Sequence, residues 1–254
     1  MSLGRILIAN DDGIQSNGLK ALERVARTLS NDVWTVAPAT EQSGASHSLT
    51  MGRPLRIRRM GERAFAVDGT PTDTVLMGVV QILKDKKPDL VLSGVNRGAN
   101  LGEDVTYSGT VAAAMEGTML GIRSIALSQV LPHDGPTKWE IAETHAPEII
   151  RKLVALKWGP NVLMNINFPD LPPKDIQGVS VCVLGRRKVN NAMIERADPR
   201  GRPYYWIDST RAEIPTGTGT DFAAIHAGMI AITPLYLDPT HTPSLGMLEE
   251  AFAK

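Results

Sequence analysis

The chain has 254 residues, of which 43% are hydrophobic, enough to bury a full core in one large domain or two small ones. Lysine plus arginine and aspartate plus glutamate both number 27, so no net charge attracts a nucleic-acid duplex or a membrane surface, and a small partner is expected. No basic segment followed by a long apolar one opens the chain, and no run approaches the ~20 apolar residues of a membrane span, so a cytoplasmic protein is expected.

The first half of the chain alternates between predicted strands and helices. Residues 6–9 form a continuous apolar run, typical of a strand that is covered on both faces. Ser16 or Asn17 can cap the next helix, whose apolar residues recur at helical spacing as far as Leu29. Further strands are predicted at 33–38, from 89 and from 122, and further helices at about 72–83 and 109–120. This alternation predicts an α/β fold with a mostly parallel, doubly wound sheet.

Two segments depart from the simple alternation. A hairpin is predicted at 55–67, with its arginines facing water. The helical pattern of 138–156 contains Pro147, which predicts a kink or two separate pieces, and a strand follows at 162–169.

The composition changes beyond residue 178. Antiparallel strands with long turns are expected there, followed by a Gly/Thr loop at 213–224 and a short amphipathic helix at the end of the chain. Cys182 cannot form an intrachain disulfide, and its apolar neighbours predict core packing. We expect a core of residues 1–178 and a β-rich extension of 179–254, which returns to the core near 221–235 and joins chains together.

Four polar, glycine-rich loops follow predicted strands. They lie at 10–13, 43–46, 93–100 and 107–110. Because ligands bind beyond the carboxyl ends of parallel strands, these loops are expected to converge on one pocket.

Two adjacent aspartates, Asp11 and Asp12, directly follow the first buried strand. Like charges so placed repel each other unless a cation, a positive side chain or water relieves them. The chain bends at a strand end, and Gly13 frees the next turn, so both carboxylates can meet one ion. Oxygen ligands suit Mg²⁺, Mn²⁺ or Ca²⁺ better than zinc, and the five histidines show no metal-ligand spacing. A solvated turn is the alternative interpretation of an isolated aspartate pair.

The loop at 107–110 suggests a second kind of binding. Ser108, Gly109 and Thr110 stand before an alanine-rich helix, where backbone N–H groups and two hydroxyls can face a phosphate; a plain helix cap is the alternative. A metal site and an anion site at one sheet edge would suit a phosphate ester that bridges them. No GxGxxG follows the first strand, and no P-loop or GxSxG motif occurs, which argues against dinucleotide, P-loop nucleotide and esterase sites.

Five motifs occur in order between about residues 5 and 234: "ILIANDDG", "APATEQSGASHSLT", "VDGTPTD", "SGVNRGANLGEDVTYSGTVAAAMEG" and "GTGTDFAA". Together they closely resemble the SurE (survival protein E) family of metal-dependent 5′-nucleotidases. The resemblance implies a Rossmann-like three-layer α/β/α domain and one divalent ion per subunit, Mg²⁺ or Mn²⁺ rather than Ca²⁺. It also implies hydrolysis of nucleoside 5′-monophosphates, with 3′-monophosphates and polyphosphate as candidate further substrates.

The same resemblance assigns roles to particular residues. The implied metal ligands are Asp11, Asp12, Ser43 and Asn96, and the implied substrate-binding residues are Asn10, Asn96, Ser108, Gly109 and Thr110. Asp11 or Asp12 would orient or deprotonate the attacking water. Homodimers or homotetramers built through the C-terminal extension are also implied. The chain departs from the common family pattern at Ser16, Asn17, Arg97 and 216–221, which bears on substrate preference rather than on the reaction.

Two other classes of protein share part of this pattern. A phospho-acceptor receiver module also carries an acidic pair after its first strand, but it needs a further aspartate after its third strand. The corresponding region, 53–65, has none, and the chain is about twice as long as one such module. A non-catalytic protein that binds phosphoryl ligands with a metal shares every motif and can be separated only by an assay.

Overall fold

A nine-stranded sheet runs through the computed structural model, which describes residues 2–189, 193–207, 211–214 and 217–253. In spatial order its strands are β3 (Ile57–Arg59), β4 (Ala64–Val67), β2 (Val33–Pro38), β1 (Ile6–Ala9), β5 (Leu90–Arg97), β6 (Arg123–Gln129), β7 (Val162–Phe168), β13 (Ile230–Tyr236) and β8 (Val179–Val181). The strands from β4 to β7 in this order pair with one another in parallel, whereas β3 is antiparallel to β4 and β13 is antiparallel to β7. The predicted α/β fold with a mostly parallel sheet is therefore confirmed.

Helices cover both faces of this sheet. On one face lie α1 (Asn17–Arg27) and α4 (Glu140–Ala155), and on the other lie α2 (Pro71–Met77) and α3 (Gly109–Met119). Helix α5 (Asp221–His226) packs against β13, whereas α6 (Leu245–Phe252) has no buried residue. Side chains alternate along β1, so that Ile6 and Ile8 pack with α1 and α4, while Leu7 and Ala9 pack with α2 and α3. The result is three layers, with both hydrophobic cores meeting at β1. None of the described helices combines the length and apolar character that a membrane crossing requires.

The first helix forms as its sequence predicts. Ser16 is the N-cap, and its side chain accepts a hydrogen bond from the backbone N–H of Leu19. Leu19, Leu22 and Val25 are buried, because their spacing places them on the face that meets the sheet.

Two helices differ from their predictions. In the region predicted as a helix over 72–83, the α-helix ends at Met77, and a five-residue π-helical turn, Gly78–Ile82, follows it. Helix α4 runs without interruption through Pro147, so the expectation of two pieces is wrong. Buried side chains on both sides of the proline, among them Ala142 and Ile150, pack into one core and keep both halves helical, and the kink stays a prediction.

The predicted hairpin belongs to the main sheet. Strands β3 and β4 pair with each other in antiparallel fashion, and β4 also pairs in parallel with β2. The arginines of this region that were expected to face water, Arg56, Arg58, Arg59 and Arg63, are exposed.

The C-terminal region contains antiparallel strands, as predicted, in addition to the two that complete the main sheet. Strand β9 (Arg186–Val189) pairs with β12 (Arg211–Ile214), and β10 (Met193–Ala197) pairs with β11 (Pro203–Ile207). Cys182 is buried in a small cluster with Ala224 and Ala231, which confirms that it packs in the core. The predicted Gly/Thr loop is described only in part, since residues 215 and 216 lie outside the described ranges. The division into core and extension stays a prediction.

A buried carboxylate connects this region to the rest of the protein. Asp221 is completely buried and accepts hydrogen bonds from the backbone N–H groups of Gly102, Gly185 and Phe222, at 2.8, 2.7 and 2.9 Å. Gly102 opens the 3₁₀ turn Gly102–Thr106, which leads from β5 to α3, and Gly185 directly precedes β9. One side chain thus fixes the loop in front of α3 and the root of the β9–β12 strands.

Candidate active site at the carboxyl edge of the sheet

The two adjacent aspartates occupy different surroundings. Asp11 is buried, with 4% of its surface exposed, whereas Asp12 is half-buried and lines a cavity at the edge of the sheet. Gly13 follows at φ +94°, a left-handed conformation that lets the chain turn directly after the strand. The bend leaves the carboxylates near enough for the charge of Asp12 to act on Asp11.

Helix α3 begins directly beside Asp11. The Thr110 hydroxyl donates a 2.5 Å hydrogen bond to Asp11 Oδ1. A Cβ added to Gly109 would lie 2.8 Å from the Asp11 Cβ, so the helix can approach this closely only because residue 109 is glycine. Burial raises the pKa of Asp11 to about 6; the Thr110 hydroxyl opposes this rise, and the charge of Asp12 adds to it.

Asp12 interacts with the end of β5. Its Oδ2 accepts a hydrogen bond of 3.2 Å from the backbone N–H of Arg97. Burial raises the pKa of Asp12; the Arg97 backbone N–H opposes the rise, and the negative charge of Glu41 increases it. Two neighbouring carboxylates with raised pKa values are a place where a bound cation would be favourable.

Asn10 joins the aspartate turn to the start of α1. It is completely buried, and its Nδ2 donates to the Gly13 carbonyl at 3.0 Å and to Ser16 Oγ at 2.8 Å. Its Oδ1 is also buried and has no hydrogen-bond partner among the described residues. A buried amide oxygen without a donor is costly, so a ligand or water at this position would be stabilising.

The loop that carries Ser43 lies over the aspartates. The Gln42 backbone N–H donates to the Asp11 carbonyl at 2.8 Å, which places Ser43 one residue from this contact. Ser43 itself is exposed, and its hydroxyl donates to Glu41 Oε1 at 2.9 Å. Since the hydroxyl proton is directed to Glu41, the Ser43 oxygen keeps lone pairs for another partner.

Buried acidic side chains of α2 and α3 hold the far part of this loop. Thr50 donates to Asp73 through its backbone N–H at 3.0 Å and through its hydroxyl at 2.5 Å. His47 Nε2 lies 3.1 Å from Glu116 Oε2. The Ser43 loop is therefore fixed to both helices that cover this face of the sheet.

Asn96 and the residues that begin α3 do not line the cavity, unlike Asp12 and Ser43. Asn96 is half-buried at the end of β5, and its Nδ2 donates to the Gly98 carbonyl at 2.8 Å, which leaves its Oδ1 for another partner. Ser108 is buried and caps α3 by accepting from the Val111 N–H at 3.1 Å. Ser108, Gly109 and Thr110 lie behind Asp11 and not on the cavity wall, so the role of a phosphate cradle stays a prediction.

The four predicted loops do converge. The Arg97 amide and the Thr110 hydroxyl join 93–100 and 107–110 to 10–13. The loop 43–46 is joined to 107–110 by the Ser46 N–H, which donates to the Tyr107 carbonyl at 3.2 Å, and the preceding residue, Gln42, bonds the Asp11 carbonyl. Beside them lies a cavity of about 620 Å³, which is lined by Asp12, Glu41, Ser43 and the start of α1.

Sequence reasoning missed part of this cavity. Arg97, Thr137 and Trp139 also line it. The signal for Arg97 was its position as the one basic residue in the motif "SGVNRGAN". Residues 135–139 carry no motif from which a place at the site could be predicted.

These features define an α/β protein with an oxygen-rich, acidic site at the carboxyl edge of a parallel sheet, next to a helix N-terminus. A sequence model of the family described as "Survival protein SurE" matches residues 6–191. The chain therefore belongs to the SurE family, which confirms the resemblance seen in its motifs. The strand beside β1 ends in Asn96 and Arg97, without the aspartate that a receiver module needs.

Relatives in this family cover nearly the whole chain. A protein named 5′-nucleotidase SurE from Paramagnetospirillum magneticum is 59% identical over 248 residues, covering 98% of this chain and 95% of that protein. One with the same name from Rhodospirillum rubrum is 53% identical, covering 99% and 97%. The crystal structure of the SurE protein from Aquifex aeolicus matches with a TM-score of 0.86 at 38% identity, covering 98% of this chain and all of that one.

Proposed function

We propose that the protein hydrolyses nucleoside 5′-monophosphates to nucleoside and phosphate, the activity that the names of its relatives state for those proteins. The observation that carries the proposal is the pair Asp11 and Asp12, set between the N-terminus of α3 and an open cavity. A carboxylate pair and a helix N-terminus at one sheet edge suit a substrate that is both a phosphate and a metal ligand.

One divalent metal ion is proposed as the cofactor, Mg²⁺ or Mn²⁺ in preference to Ca²⁺. The described residues contain no group of three or more acidic, histidine or cysteine side chains that could hold a metal alone. Asp11 and Asp12 would therefore need the hydroxyl of Ser43 and the amide oxygen of Asn96, both of which keep free lone pairs. This set consists of oxygen atoms only, which fits a hard cation.

The bound ion would supply a Lewis acid that draws charge from a phosphoryl oxygen. Asp12 lines the cavity and is half-buried, so its carboxylate is placed to orient a water molecule and accept its proton. Asp11, buried and held by Thr110, is placed to fix the site rather than to exchange protons with solvent. Asn10, Ser108 and Gly109 are proposed to complete the phosphate pocket, with the nucleoside in the cavity beyond Asp12.

A homodimer or homotetramer is proposed on the basis of exposed apolar side chains. Strands β10 and β11 expose Met193, Trp206 and Ile207, at 61%, 62% and 78%, and α6 exposes Phe252 at 82%. Exposed large apolar side chains of this kind are typical of an interface. Light scattering of the wild type and of a Trp206→Ser variant checks this: the wild type should be oligomeric, and the variant should dissociate more readily.

The reaction is tested by measuring phosphate release from a panel of nucleoside 5′-monophosphates, a 3′-monophosphate and polyphosphate. Metal-stripped protein should be inactive, and Mg²⁺ or Mn²⁺ should restore turnover. Asp12→Asn should lose most of this activity while remaining folded, and Asp175→Asn, which removes an exposed carboxylate, serves as the matched control. If metal binds but no substrate turns over, the protein is a metal-dependent binder of phosphoryl ligands rather than an enzyme.

A further inference from the structure

Arg97 is the one lysine or arginine among the described residues that line the cavity beside Asp12. Its side chain is exposed, and its guanidinium makes no hydrogen bond or ion pair with any described residue. Its charge is felt by Asp12 through space. A guanidinium offers five donors in a fork that matches the geometry of phosphate oxygens.

The backbone that carries Arg97 is fixed at the site. The Arg97 N–H donates to Asp12 Oδ2 at 3.2 Å, the Asn96 side chain donates to the Gly98 carbonyl at 2.8 Å, and the Gly98 N–H donates to the Gln129 carbonyl at 2.9 Å. These three bonds hold the residue on both sides without using its side chain. The guanidinium is therefore the movable end of a residue whose backbone is fixed at the cavity wall.

The carboxylates at and beside the cavity favour a further cation there. Asp11, Asp12 and Glu41 bring three carboxylates, and a divalent ion would offset two of them. A phosphate monoester adds a charge of about −1.5 to −2 at neutral pH, so without Arg97 it would enter a site that is already negative. Arg97 would offset this excess, because its positive charge lies on the cavity wall.

We propose that the Arg97 guanidinium binds the phosphoryl group of the substrate, making Arg97 a substrate-binding residue of this chain. The inference rests on the proposed phosphatase function, because it takes the ligand of the site to be a phosphate monoester. Two of the N–H donors of the guanidinium would contact oxygens of the phosphoryl group on its side that faces the cavity.

The test compares wild type with Arg97→Ala, Arg97→Lys and the control Arg58→Ala, which removes an exposed arginine outside the cavity lining. On Mn²⁺-loaded protein, kcat and KM for AMP and the inhibition constant of inorganic phosphate are measured, and the dissociation constant of Mn²⁺ is measured on metal-stripped protein. For Arg97→Ala, KM and the inhibition constant should both rise about 10- to 100-fold, with a smaller change in kcat. Arg97→Lys should recover part of the loss, and Arg58→Ala should match the wild type.

Other outcomes overturn the proposal in distinguishable ways. A raised KM for AMP with an unchanged inhibition constant of phosphate would place Arg97 on the nucleoside instead. Weaker Mn²⁺ binding by Arg97→Ala would mean that the residue acts through the metal site, since loss of a nearby cation should not weaken the binding of another. If the wild type hydrolyses no nucleotide, the proposed function fails, but calorimetric titration of inorganic phosphate into the Mn²⁺-loaded proteins still decides the role of Arg97.

Discussion

Replacing Asp11 by asparagine should stabilise the metal-free protein at neutral pH while removing its activity. Asparagine has nearly the same shape as aspartate and still offers an oxygen to the Thr110 hydroxyl, but it carries no charge into the buried site. The wild type must ionise this carboxyl between strand β1 and helix α3, where water is largely excluded.

The magnitude follows from the pKa of Asp11, which is about 6 in the folded protein against 3.8 for an ordinary aspartate. Because the folded state holds this proton more tightly than the unfolded state, ionisation opposes folding. The stabilisation from the bound proton is complete below about pH 4 and is lost as the pH rises through about 6, and the total loss amounts to about 3 kcal/mol. Asp11→Asn avoids this loss, so its advantage should reach up to about 3 kcal/mol at pH 8 and nearly vanish at pH 4.

Urea unfolding of chelator-treated protein between about pH 4 and pH 8 measures this difference. Asp175→Asn is the control, because it makes the same chemical change on an exposed side chain and should stay within about 0.5 kcal/mol of the wild type. Adding Mn²⁺ should stabilise the wild type and much less the variant. The reasoning is refuted if the free energy of unfolding of Asp11→Asn is no greater than that of the wild type at pH 8, or if the difference is independent of pH.

Three further changes test other contacts of the site. Gly109→Ala would place a Cβ 2.8 Å from that of Asp11, and thermal unfolding should show a loss of about 1 to 3 kcal/mol, with phosphate release strongly reduced. Asp221→Asn would turn an NH₂ group toward at least one of the three backbone donors, and urea unfolding should show a loss of about 2 to 4 kcal/mol at neutral pH. Thr50→Val leaves Asp73 without its hydroxyl donor, and calorimetry should show weaker Mn²⁺ binding, because the loop that carries the implied ligand loses an anchor.

The local pattern of the chain was sufficient for the elements near the site. The apolar run of β1 and the spacing of Leu19, Leu22 and Val25 in α1 reflect burial in one core. Because burial fixes this pattern, the sequence alone predicts both elements. Pro147 is the contrary case. A proline disfavours a helix through its own backbone, but the buried residues on both sides belong to one core, and this tertiary packing outweighs the local preference.

The arrangement of side chains within the site could be predicted only in part from the sequence. The aspartate pair and the glycine-rich loops have signatures, because a strand end needs particular residues to turn and bind. The Thr110 hydroxyl donates to Asp11, and the Ser43 hydroxyl donates to Glu41. These contacts depend on how the loops pack in three dimensions. Trp139 lines the cavity through a segment that carries no motif, and such a contact between distant parts of the chain leaves no local pattern.

The hydrogen bonds around Asp221 also show where this chain can be shortened. The strands β9 to β12 leave the core after Gly185 and return at Gly219, and these two ends are adjacent: Val183 exchanges backbone hydrogen bonds with Gly219 and Asp221, at 3.1 and 3.0 Å. The intervening segment is thus an insertion with closed ends rather than a tail. A shortened protein in which a few glycines replace 187–217 would keep every strand of the main sheet. It would also keep the Asp221 carboxylate, which bonds the chain on both sides of the removed segment. Such a protein would separate the chemistry of the core from whatever the inserted strands bind.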